Sequence, residues 1–196
     1  FKSAQYETGR KLDLPDPSGR STEPGDGPYV GPPFEVLNPN APVLNLSDFL
    51  GQMSCLADAV VVVQVKDKAS QLTENREFIF TDYNVMVKEV LKNNPAAEIA
   101  ARGNLVITRP GGKVKFNNRV VSALDSSFQP LEANNDYLLF LKYVPATGAY
   151  QSMRKGSFLL RDGALKKLTE EMVPGTTDQA QSFTDESRKA IQRCAN

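Results

Sequence analysis

The chain has 196 residues, with 23 basic and 23 acidic side chains, no His, no Trp and two Cys. That length suffices for one domain with a sizeable core, or one domain plus an appendage, and zero net charge argues against whole-chain attraction to nucleic acid or an anionic membrane. The missing His removes Ser-His-Asp and Cys-His couples, an imidazole base and His-ligated zinc, and two Cys cannot build a Cys-only structural zinc site.

Residues 1–42 carry eight of the 13 Pro and five of the 13 Gly. Such a density of breakers excludes helices and central strands and predicts turns and extended stretches. We read residues 1–45 as an extended Pro/Gly-rich arm and 46–196 as the folded domain. Tyr29, Val30, Phe34, Val36 and Leu37 are the arm's main apolar cluster and its expected anchors. Through residue 45 the arm holds six acidic and four basic residues, leaving 17 acidic and 19 basic for the rest. Docking of the arm on the domain, or self-association through a second copy, would use this segment. The chain starts at Phe1, as removal of an export signal or a cloning boundary would leave it. Its longest apolar run, Ala59 to Val63, is strand-sized and far short of a membrane span.

A short helix is predicted after the arm, capped by Ser47 and favoured by Asp48, with Leu46, Phe49, Leu50 and Met53 at helical spacing. Asn45-Leu46-Ser47 has the form of an N-glycosylation acceptor, meaningful only in a eukaryote. Ala59 to Val65 is β-branched and apolar on both faces, as in a strand buried on both sides. Phe78 to Leu91 reads as a long strand with Phe78 and Phe80 on one face and Ile79, Tyr83, Val85 and Val87 on the other, which predicts a bend or bulge near Thr81-Asp82. Pro95 to Arg102 reads as a short helix stopped by Gly103. Strands are expected over Leu105 to Thr108, Lys113 to Val121, Asp136 to Val144, Tyr150 to Arg154 and Ser157 to Leu160. A final helix over Thr184 to Cys194 has Asp185 and Glu186 early and Arg188, Lys189 and Arg193 late, the order that suits the helix dipole. The sum is a mainly β domain, a five- to six-stranded OB-like β-barrel with short flanking helices and the N-terminal arm.

Cys55 and Cys194 lack the Cys-x-x-Cys redox spacing. Two buried free thiols and one structural disulfide are both open readings, the second implying an oxidising compartment. Cys55-Leu56-Ala57-Asp58-Ala59-Val60-Val61-Val62 resembles the entry to the first strand of netrin-like domains, the OB-fold modules that include the tissue inhibitors of metalloproteinases, where a Cys, one residue and Ala-Asp-Val-Val open the strand. Tyr83 to Lys92 is similar to that family's second strand, Asn135 to Phe140 to its Tyr-Leu strand, Gly148-Ala149-Tyr150 to the following hairpin, and Arg188 to Cys194 to a C-terminal helix ending in Cys. The resemblance implies pairing of Cys55 with Cys194, closing a loop worth about 4–5 kcal/mol, and an exported, secreted or periplasmic setting. The inhibitors' zinc-chelating Cys-x-Cys start has no counterpart, so protease inhibition is not implied.

Between Ile99 and Leu124 stand five basic residues and no acidic one: Arg102, Arg109, Lys113, Lys115 and Arg119. On a strand, Lys113 and Lys115 point one way and Val114 and Phe116 the other. Such a face suits an acidic protein or a polyanionic glycan; it also suits plain solvation, or lysines that deter edge pairing. Nucleic acid is disfavoured because stacking aromatics are not interleaved with these charges. Asp58, Asp82, Asp125, Asp136 and Asp162 show no spacing that unites a catalytic pair, and Asp58 reads as a hydrogen-bonding residue at strand entry. Pro110-Gly111-Gly112-Lys113 lacks phosphate-loop spacing, and no calcium loop or cofactor motif occurs. The expected role is therefore a non-catalytic binding or interaction module without cofactor. The alternative is a carboxylate- or Lys/Tyr-based enzyme with a pocket beneath the arm, which two facing carboxylates, or a buried Lys beside a Tyr, would favour.

Overall fold

A computed structural model describes residues 45–73, 76–116, 118–123, 129–167 and 179–194. The arm's anchors and Asp125 lie outside them. Helix α1 (Leu46–Leu56) leads into β1 (Ala59–Leu72), β2 (Ile79–Lys92), β3 (Asn104–Pro110), β4 (Gly112–Phe116), β5 (Arg119–Ala123), β6 (Asp136–Val144), β7 (Ala149–Arg161), β8 (Ala164–Lys167) and α2 (Ala180–Cys194). The architecture is mainly β. Six strands form one sheet in the order β3-β2-β1-β6-β7-β8, and β4 and β5 form a separate hairpin. A parallel pairing of Ile107 with Tyr150 and Thr108 with Gln151 joins β3 to β7. Pairings therefore run from β1 through β2, β3, β7 and β6 and return to β1.

Side chains divide between the two faces of this sheet. Val61, Val63, Val65, Tyr83, Val85, Val87, Ile107, Leu139 and Leu141 share one core. Val60, Leu138, Phe140 and Phe158 face the other way and are covered by Phe49, Leu50 and Met53 of α1 and Phe183 and Ala190 of α2. This explains why β1 and β6 are apolar on both faces. Cys55 and Cys194 are joined by a disulfide with a Cα–Cα distance of 5.3 Å, tying the last turn of α1 to the last turn of α2.

Several elements differ from expectation for local reasons. The α1 cap is Asn45, not Ser47: its Oδ1 accepts the Asp48 N–H at 2.9 Å, while the Ser47 hydroxyl accepts from Arg193 at 3.0 Å. The helix lacks a basic residue in its last turn, and Lys92 from β2 supplies one, donating to the carbonyls of Ser54 at 2.8 Å and Ala57 at 2.6 Å. Pro95 to Arg102 is a turn and loop, not a helix. Asn93 and Asn94 compete for the backbone there: Asn93 Oδ1 takes the Ile99 N–H at 2.9 Å and Asn94 Oδ1 the Ala96 N–H at 3.0 Å.

In β2 the inward face does not change at Thr81-Asp82; Ile79, Thr81, Tyr83, Val85 and Val87 are all buried. Thr81 turns inward because its hydroxyl is satisfied, 2.8 Å from Ser70 Oγ and donating to Gly111 O at 2.7 Å. The irregularities of the β1–β2 ladder fall elsewhere, between Val60 and Val61, Val62 and Val63, and Val65 and Asp67. Lys113 to Val121 is not one strand but the β4–β5 hairpin, with Asn118 at φ 60° in its turn. The two strands expected over Tyr150 to Leu160 are one, β7. It bulges where Ser152 pairs with Leu141 and Ser157 with Leu139. Helix α2 begins at Ala180, four residues before Thr184, whose hydroxyl instead donates back to the Ala180 carbonyl at 2.8 Å.

The β7 bulge requires Gly156. A Cβ there would stand 2.7 Å from Phe140 Cβ and 2.9 Å from Met53 Cε, so Gly156→Ala overpacks the helix-covered core. The expected loss is about 1–3 kcal/mol in chemical denaturation; an unchanged midpoint would show that the bulge relaxes freely.

Candidate functional site

The strand β4 reads as expected: Lys113 and Lys115 are exposed while Val114 and Phe116 are half-buried. Cross-strand pairing sets Lys113 opposite Ser122, Lys115 opposite Val120 and Phe116 opposite Arg119. Paired residues share a face. One face thus carries Lys113, Lys115, Val120 and Ser122, and the other carries Phe116 and Arg119. Val120 is 71% exposed. The hairpin docks on the far ends of β1 and β2, where the Lys113 N–H approaches Ser70 Oγ at 3.4 Å. Gly112 makes that approach feasible: its φ is +143°, and a Cβ would meet Thr81 Oγ1 at 2.4 Å and Ser70 Oγ at 2.5 Å. Arg76, in the β1–β2 connection, stands over the Phe116 ring at 5.3 Å from its centroid, a cation–π contact worth about 0.5–1 kcal/mol at an exposed position.

Two of the five basic residues leave the patch. Arg109 pairs with Thr81 across β2 and β3 and so shares its inward face. It is 1% exposed and donates from Nη1 to the Gln129 carbonyl at 2.8 Å. Arg102 is exposed but precedes β3, whereas the hairpin follows it; the length of β3, about 20 Å, separates them. Lys113, Lys115 and Arg119 stay together on the hairpin. Arg76 joins them, a residue that a search along one contiguous segment misses because only the docking of β4 against the β1–β2 ends brings it near.

The carboxylates are dispersed. Asp58 accepts the Tyr143 N–H at 2.8 Å and pairs with Lys142 at 3.0 Å, the strand-entry role read from sequence. Asp82 accepts from Gln71 at 2.9 Å and Thr108 at 2.7 Å. Asp136 pairs with Lys88 at 2.6 Å, and Asp162 with Arg161 at 3.5 Å. Buried Tyr hydroxyls engage backbone: Tyr83 accepts from Leu131 N, Tyr137 from Glu132 N, and Tyr150 donates to Ala97 O. Burial pulls Lys92 below its ordinary value and pushes Tyr150 above its own. A shallow cleft of about 470 Å³ lies between α1 and α2, lined by Ser47, Glu186, Lys189, Gln192 and Arg193. Among the described residues no group of three or more Cys, Asp and Glu stands together as metal ligands, and no helix is long and apolar enough to cross a membrane.

Burial acts to raise the Asp58 carboxyl, but the Tyr143 N–H and the Lys142 ammonium outweigh it and hold the group below its ordinary 3.8. A depressed carboxyl stabilises the fold above its unfolded value and loses that contribution as pH falls through the folded one. Urea unfolding of wild type and Asp58→Asn should differ most near neutrality and converge below pH 3.8. A difference independent of pH would contradict this assignment.

No protein-family model matches the chain, and no curated protein matches it in sequence.

Proposed function

We propose that the chain is an exported, non-catalytic binding module, a netrin-like OB barrel stapled by its disulfide, which takes an anionic partner on the β4–β5 hairpin. The barrel reading is supported by the cycle of pairings through β1, β2, β3, β7 and β6 and by two helices bridged at their last turns. Export is supported by that bridge, since such bonds persist in oxidising compartments. The observation that carries the function is that one docked hairpin bears Lys113 and Lys115 on one face and Arg119, with Arg76 over Phe116, on the other. Close charges of one sign raise the local potential and draw in an acidic protein segment or a polyanionic glycan.

Retention on immobilised heparin at low salt tests the reading. The wild-type chain should be retained and eluted by salt, and Lys113→Glu with Lys115→Glu should abolish retention while leaving thermal stability nearly unchanged, because both side chains are solvated. Equal retention of both proteins would remove the hairpin from the account.

A further inference from the structure

Among the described residues the hairpin has one edge without a strand partner. Strand β5 pairs with β4 on one side, and among the described residues no strand pairs with its other side. The β4 side, by contrast, is occupied by the docking against Ser70 and Thr81. Unpaired strand edges are normally guarded by lysines or prolines on the edge itself. Here the lysines are on β4, and β5 (Arg119–Ala123) carries a single charge, Arg119 at its start, followed by Val-Val-Ser with Val120 71% exposed.

We infer that β5 accepts an extended acidic peptide as an added strand. Backbone N–H and C=O groups of β5 supply the ladder, as in other strand-addition complexes. Val120 gives the incoming strand an apolar neighbour. Lys113 lies opposite Ser122, whose short side chain leaves room for the ammonium to lean across toward a carboxylate on the new strand; Arg119 serves the other face. A glycan uses the charges but neither the ladder nor Val120, so the edge favours a peptide. The inference rests on the anionic-partner reading above and narrows it.

The test titrates intact, oxidised protein with a fluorescein-labelled Glu-Val-Glu-Val-Glu-Val peptide, with the same peptide N-methylated at every internal residue, and separately with heparin. The parent peptide should bind, the methylated one about tenfold or more weakly, since it keeps its charge and loses its N–H donors. Val120→Asp should weaken the parent peptide about tenfold as well. Equal binding of both peptides to unaltered protein overturns strand addition, whatever the variant does. Heparin binding without peptide binding also overturns strand addition and leaves the anionic reading standing. Binding of neither overturns both.

Discussion

Removing the Cys55–Cys194 bridge lowers the free energy of unfolding by about 4–5 kcal/mol, the chain-entropy value for a loop of this size. The bridged residues are 139 apart in sequence, so the oxidised unfolded chain is closed over nearly the whole folded domain. A loss of that size in a domain of 150–250 residues corresponds to a fall of about 8–20 °C in Tm. The folded state retains other ties: Phe183 in the core and Arg188 with Glu89 at 2.7 Å join α2 to the sheet, and Arg193 with Ser47 at 3.0 Å joins α2 to α1. The reduced protein should therefore stay folded, with α2 the first element to open. Calorimetry with and without reductant, and of Cys55→Ser with Cys194→Ser, measures the shift. A fall of under about 2 °C would mean that the bridge constrains almost nothing.

Phe158→Ala should cost about 3–5 kcal/mol. Its ring is 1% exposed. It lies 4.6 Å from Phe183 of α2, 6.2 Å from Phe140 of β6 and 6.4 Å from Phe49 of α1, centroid to centroid. One side chain thus joins both helices to the sheet. Its neighbours are themselves fixed by the sheet and the helices, so the cavity closes poorly. Phe116→Ala, at a half-buried ring on the hairpin, should cost markedly less. Urea denaturation of the two variants compares them directly, and equal losses would contradict the placement of the main packing under α1 and α2.

The strongly apolar strands were legible because burial alone dictates them. Val60 to Val63 and Leu138 to Leu141 feed both cores alternately, so no choice of face had to be made. Asp58 was legible because an Asp just before a strand has a local use, here the Tyr143 N–H. What local pattern could not show was polar groups satisfied across the fold. Thr81 reads as a break in the inward face from sequence because its partners, Ser70 and Gly111, are remote along the chain. Arg109 looked like surface charge, yet strand register turns it inward to the Gln129 carbonyl. Asn93 and Asn94 override the helical signal of Pro95 to Arg102 through side chain–backbone bonds that composition does not reveal.

The candidate site was half legible for the same reason. Lys113 and Lys115 share a face by simple alternation, whereas Arg102 is near them only in sequence and Arg76 is near them only in space. Hairpin docking, fixed by the glycine at position 112 and the Ser70–Thr81 pair, decides both.

Amide chemical-shift mapping of the ¹⁵N-labelled, oxidised protein during titration with an anionic ligand tests the functional account most directly. The largest shifts should fall on Gly112–Phe116, Arg119–Ala123 and Arg76, with Arg102 and the α1–α2 cleft unmoved. Largest shifts at Arg102, at the cleft or nowhere would contradict a binding role for the hairpin.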